Sequence, residues 1–181
     1  MSAVTAPSSR SPLQPWRPAR LGAGARPGPS RASKRVAAAA FAALGVAIAA
    51  WLAAYQLGLV PRPWDPLFGD GTRAVLRSSF SRALPIPDAL VGACAYLAEI
   101  VALAWGDRDR YRTRPAAVYV YAAIAFGMAL GGAALVVLQA LVVRAFCTLC
   151  LASAAISLAL AAPAAAELAA AIRHRSNARG G

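Results

Sequence analysis

The chain is expected to be an all-α membrane protein: a four-transmembrane-helix bundle with a short amphipathic helix in an outer loop. Three observations predict it. Hydrophobic residues make up 59% of the 181 and charged residues only 14%, against about 25% charged in a soluble domain. Four apolar runs approach or exceed the roughly 20 residues that a helix needs to cross a 30 Å hydrocarbon core. The runs are Ala- and Leu-rich and uniformly apolar, which excludes the alternating pattern of barrel strands.

The elements follow in order. Residues 1–35 hold Pro, Arg, Ser, Gly and Ala, with no acidic residue. Without hydrophobic periodicity they read as a disordered basic cytoplasmic tail. The first run, Val36–Val60, has 25 residues. That exceeds the apolar core of a cleaved signal peptide, about 7–15 residues, so the run is expected to remain as an anchor. Residues 61–88 form an outer loop. Within it, in GTRAVLRSSFSRAL, Leu76, Phe80, Ala83 and Leu84 recur at helical spacing, while Arg73 and Arg77 lie elsewhere on the wheel. The pattern predicts a short interfacial helix that Pro85 and Pro87 terminate.

The second run is Ala89–Trp105, 17 residues, and the third is Ala116–Val143, 28 residues. The third is long enough to require some tilt. The fourth runs from Ala145 to about Ile172, with Pro163 a possible kink and the membrane exit near Glu167. The membrane domain is thus expected over 36–172, followed by a cytoplasmic tail, 173–181.

The net charge of +12 does not mark a nucleic-acid binder, because the basic residues flank the apolar runs. With both termini in the cytoplasm, 14 of the 19 Lys and Arg residues lie inside, and five (Arg62, Arg73, Arg77, Arg82 and Arg144) lie outside. The positive-inside rule favours that orientation. It predicts a multi-pass protein of the plasma or inner membrane, with Trp64 and Trp105 near opposite interfaces.

The same orientation puts Cys147 and Cys150, in AFCTLCLAS, at the outer face, opening the fourth run. A spacing of three places both sulfurs on one helical face, within disulfide reach. Free N–H groups and the positive dipole end at a helix N-terminus favour a thiolate. In an oxidising compartment such a pair can cycle between dithiol and disulfide. Taken alone, the pair is equally compatible with two small packing residues. No metal is expected. Zinc needs four ligands, and beyond this pair the chain offers only Cys94 and His174, the latter on the inner side. CTLCL also lacks the His of a haem-attachment motif.

Two stretches carry a family resemblance: AVLRSSFSRALPIPDALVGACAYL, 74–97, and VLQALVVRAFCTLCLASAAIS, 137–157. Their order and content (Val75, Leu76, Ser78, Phe80, Ile86, Pro87, Gly92, Cys147 and Cys150) resemble the vitamin K epoxide reductase family of bacterial type. The resemblance implies a four-helix bundle and a quinone-linked membrane thiol–disulfide oxidoreductase. A menaquinone- or ubiquinone-type quinone would be the acceptor, and a thioredoxin-like extracytoplasmic protein the dithiol donor. Cys150 would face the quinone and Cys147 would exchange with the donor. Family members carry two loop cysteines that relay electrons. Here DPLFGDGTRAVL, 65–76, has none, and Ala154 replaces a Tyr of some animal members. A non-catalytic membrane interaction or assembly subunit is the alternative.

Other polar residues stand at membrane depth. Gln139 in the third run is expected near the depth of the cysteines, as a hydrogen-bond donor to a quinone or as glue between helices. Ser78 and Phe80 are the other pocket candidates. Glu99 lies in the inner half of the second run, where a carboxyl is a functional candidate by default. Gly127 and Gly131 read as a helix-packing GxxxG. Cys94 reads as a small buried hydrophobe.

Overall fold

The computed structural model describes residues 32–79, 81, 85–105 and 110–179. Phe80, most of the basic tail and the Ala83–Leu84 part of the expected loop helix lie outside the described residues. Among the described residues all regular structure is helical. Four long helices are α1 (Ala32–Gln56), α3 (Asp88–Ala104), α5 (Pro115–Leu138) and α6 (Thr148–Arg179). Two short ones are α2 (Gly71–Leu76) and α4 (Arg110–Thr113). A π-helical turn, Gln139–Val143, continues α5.

Among the described residues three helices are long and apolar enough to cross a membrane, over Ser33–Gln56, Pro115–Val143 and Thr148–Ala178. α3 has 17 residues, about 25 Å at 1.5 Å per residue. The helix starts have local causes. Pro115 stands in the first turn of α5, where the missing N–H removes a donor that would lack a partner anyway. α6 runs through Pro163 as one continuous helix and extends to Arg179, past the membrane exit anticipated near Glu167.

α1 packs on α3 and α6, α3 on α5, and α5 on α6. The interior is built from small residues: Ala38, Ala42, Ala49, Ala93, Ala102, Ala125 and Ala164. Large apolar side chains such as Phe41, Leu44, Trp51, Leu97, Val101, Leu130 and Leu158 point outward. In water that arrangement would be inverted. In lipid, burial of bulk brings no gain, and small residues let helix backbones approach.

Glycine packing differs from the expected GxxxG. A Cβ on Gly127 or Gly131 would meet no atom within 4 Å, whereas one on Gly132 would lie 3.2 Å from the Ala154 Cα. Gly132 is therefore the close approach between α5 and α6. Gly127 and Gly131 instead border a cavity. On α1, a Cβ on Gly45 would enter the Tyr96 ring at 2.5 Å, so this glycine seats the ring of α3.

Polar contacts fix which helix ends meet. At one end the Gln56 side chain donates to Ser81 Oγ at 2.8 Å and also to Asp88, and its carbonyl accepts Ala89 N–H. At the other end Arg35 donates from Nε to the Leu103 carbonyl at 2.9 Å. There Arg110, fully buried, donates to the Ala102 carbonyl at 2.7 Å and pairs with Glu167 at 2.6 Å. Carbonyls at the C-terminal end of α3, lacking helical partners, thus meet two guanidinium groups.

Candidate redox site

The site grows from the break between the third and fourth long helices. After the π turn, Arg144 takes a left-handed conformation, φ 53°, and its N–H bonds back to the Gln139 carbonyl. A left-handed residue costs about 1–2 kcal/mol outside glycine. The turn redirects the chain so that Ala145–Cys147 runs without helix before α6 begins at Thr148.

Cys147 occupies the N-cap position. Its carbonyl accepts Leu151 N–H at 3.0 Å and its Sγ accepts Cys150 N–H at 3.1 Å, the role an oxygen plays at an ordinary N-cap. Cys147 and Cys150 form a disulfide with their Cα atoms 5.2 Å apart. Gln139 is buried, and its amide oxygen accepts Cys147 N–H at 2.8 Å. The π turn thus presents the side chain that satisfies the backbone of the first cysteine.

The two sulfurs face different surroundings. Cys147 has no exposed surface and packs with Leu52, Tyr55, Leu76 and Leu149. Cys150 borders a cavity of about 570 Å³, within the range of ligand pockets. Leu52, Leu76, Asp88, Tyr96, Met128 and Leu135 are among its lining. Its walls are mostly apolar, and Tyr96 supplies a polar edge. The Tyr96 hydroxyl donates to the Ser153 carbonyl at 2.7 Å and lies 2.9 Å from the hydroxyls of both Ser153 and Ser157. Ser78 and Gln139 border a separate recess of about 30 Å³ that also reaches Cys150, not the larger cavity.

The loop above the cysteines is fastened by one carboxylate. Asp65 accepts from Phe68 N–H at 3.0 Å, from Thr72 N–H and Oγ at 2.8 Å each, and from the Thr148 hydroxyl between the two cysteines. Burial pushes its carboxyl upward. The hydrogen bonds from Thr148, Phe68 and Thr72 outweigh that and hold it at about 2, below the ordinary 3.8. Gly71 sits against the Phe146 carbonyl with no room for a Cβ. The rings of Phe68 and Phe146 meet at 5.6 Å. Thr72 is fully buried.

Cys94 departs from its expected burial: it is a free thiol exposed on the outer surface of α3. Asp65, Thr72 and Tyr96 were missed as site residues. A lone Asp in a loop and a Tyr in an apolar run carry no spacing signal, because the partners that tie them to α6, Thr148 and Ser153, are 83 and 57 residues away.

A helical membrane protein with a CxxC disulfide at the edge of an apolar cavity is the class that this geometry defines. The model of the vitamin K epoxide reductase family matches residues 36–165, more than half of the chain, and the chain belongs to that family. It is a multi-pass membrane protein of an oxidoreductase family. No curated relative matches it.

Proposed function

We propose that the protein is a quinone-linked thiol–disulfide oxidoreductase in which all four long helices cross the membrane, with both termini in the cytoplasm and the disulfide at the outer face. The observation that carries this reading is the asymmetry of the pair: Cys150 borders the 570 Å³ cavity and Cys147 does not. A quinone ring in that cavity would meet the Cys150 sulfur. Ser78 and Gln139, which border the small recess, and Phe80, on its sequence position alone, are the proposed residues around the ring's approach to Cys150.

A thiolate of a thioredoxin-like dithiol attacks Cys147 Sγ, and Cys150 leaves as the thiolate. The second donor thiol resolves the mixed disulfide and releases Cys147. The reduced pair then gives two electrons to the quinone, which takes up two protons and leaves as hydroquinone, and the Cys147–Cys150 bond reforms. No loop cysteine stands between donor and Cys147, so the donor attacks directly. Because Cys147 is fully buried, the Asp65 loop must lift for this to occur.

Trapping tests the reading. Cys150→Ala should capture a mixed disulfide between Cys147 and a thioredoxin-like protein, and Cys147→Ala far less. In wild-type membranes, quinone depletion should shift the pair from disulfide to dithiol. A pair indifferent to quinone, with no partner captured by either variant, would establish the non-catalytic membrane subunit, which the missing loop cysteines favour.

A further inference from the structure

Away from the disulfide, ionisable side chains are buried that thiol exchange does not use. Glu99 has no exposed surface, and among the described residues neither of its carboxyl oxygens has a hydrogen-bond partner. It stands 11 residues into α3, about 16 Å from the Asp88 end. An unpaired carboxylate ion is costly in such surroundings, so the carboxylic acid is the form the site accommodates.

Polar side chains from five helices lie at or beyond the depth of Glu99 in this part of the bundle. On its own helix Tyr96 precedes it by three residues, about 4.5 Å of rise on the same face. The Tyr96 hydroxyl is bonded to Ser153 and Ser157, and the residue lines the cavity that Cys150 borders. Ala95 and Ala98 line that cavity as well. From α5 comes Tyr121, buried, with no partner for its hydroxyl among the described residues, and within electrostatic reach of Glu99, Glu167 and Arg110. From α4 comes Arg110, whose guanidinium lies 5.1 Å from the Tyr121 ring centroid. From α6 comes Glu167, which Arg110 Nε reaches at 2.8 Å. From α1, Arg35 is bonded to the Leu103 carbonyl.

We infer that Glu99 is a proton-relay residue, passing protons from the Arg110–Glu167 end of the bundle through Tyr96 to the quinone in the cavity. The inference rests on the quinone-linked reading above. Each turnover oxidises a donor dithiol at the outer face and releases two protons there. The two electrons pass through Cys147 and Cys150. The two protons of the hydroquinone come from the inner side, Glu99 giving up and regaining its carboxyl proton once for each. Turnover therefore moves charge across the membrane.

Proteoliposomes containing the full chain test this, with a pH dye trapped inside, a membrane-impermeant dithiol peptide outside and a short-chain benzoquinone in the bilayer. Only molecules with their disulfide outward react. The wild type should make the lumen alkaline as the dithiol is oxidised. Glu99→Gln should lower that signal at least about tenfold, the scale of a lost proton-transfer group, and Glu99→Asp should restore part of it. Tyr96→Phe is the second variant and should show the same loss. Glu99→Gln should keep the wild-type thermal midpoint and the same reduction of the Cys147–Cys150 bond by dithiothreitol, whereas Tyr96→Phe also loses the hydroxyl's bonds to Ser153 and Ser157 and should melt lower. Wild-type dithiol oxidation with no lumen change, or Glu99→Gln and Tyr96→Phe variants that alkalinise at the wild-type rate, would overturn the relay and leave the quinone-linked reading intact. No quinone-dependent dithiol oxidation by the wild type would overturn both.

Discussion

The side-chain oxygen of Gln139 accepts the backbone N–H of Cys147 at 2.8 Å, tying the π turn to the first cysteine of the disulfide. Gln139 is buried and Cys147 is fully so. Gln139→Leu would leave that N–H unsatisfied, a loss of about 1–3 kcal/mol. A lowered unfolding midpoint in detergent is expected, with Gln139→Glu retaining most of the stability because an acceptor remains.

The Asp65 carboxylate holds the outer loop to Thr148, between the cysteines. Its folded pKa, about 2, lies below the ordinary value of 3.8. A depressed carboxyl contributes stability above its unfolded pKa and loses it as pH falls through the folded one. The loop should therefore stay closed from neutral pH to about 4 and loosen from there toward 2. Asp65→Ala should open it at neutral pH. After reduction, alkylation of Cys147 by an impermeant maleimide should speed up by at least about tenfold, the scale of losing even one of the charge-assisted hydrogen bonds that Asp65 accepts. An unchanged rate would mean that Asp65 does not control access.

Three glycines on α5 separate packing from cavity. A side chain at Gly132 meets the Ala154 backbone, while one at Gly127 or Gly131 enters open space. Gly132→Leu should destabilise the protein by about 1–3 kcal/mol through overpacking. Gly131→Leu should leave the unfolding midpoint near wild type and weaken binding of a short-chain quinone at least tenfold, read by quenching or by calorimetry. Full binding by Gly131→Leu would place the quinone elsewhere.

Topology can be read with reporters that are active only outside the cytoplasm. Gly71 is jammed against Phe146, so an insertion after the exposed Arg62 disturbs less. Activity is expected there and silence at Gly181. The reverse result would put the disulfide on the reducing side and remove its function.

The sequence by itself determined the helical membrane class, two of the long helices (α3 and α5) closely, that Cys147 and Cys150 lie within disulfide reach, and the family. Those features rest on local quantities: run length, composition, and a spacing of three along one chain segment. It overreached where a motif was read without its neighbours. Gly127–Gly131 has packing spacing but faces a cavity, and Cys94 is a small apolar group that faces outward, because helix rotation is set by contacts between helices. Only the tertiary structure decided that Cys150, not Cys147, borders the cavity, that Asp65 reaches Thr148 across 83 residues, and that Glu99 lacks a partner while Arg110 and Glu167 find each other. Each depends on the rotation and depth of helices distant in sequence. In lipid those are fixed by small-residue packing and a few polar contacts, which leave no periodic trace in the chain.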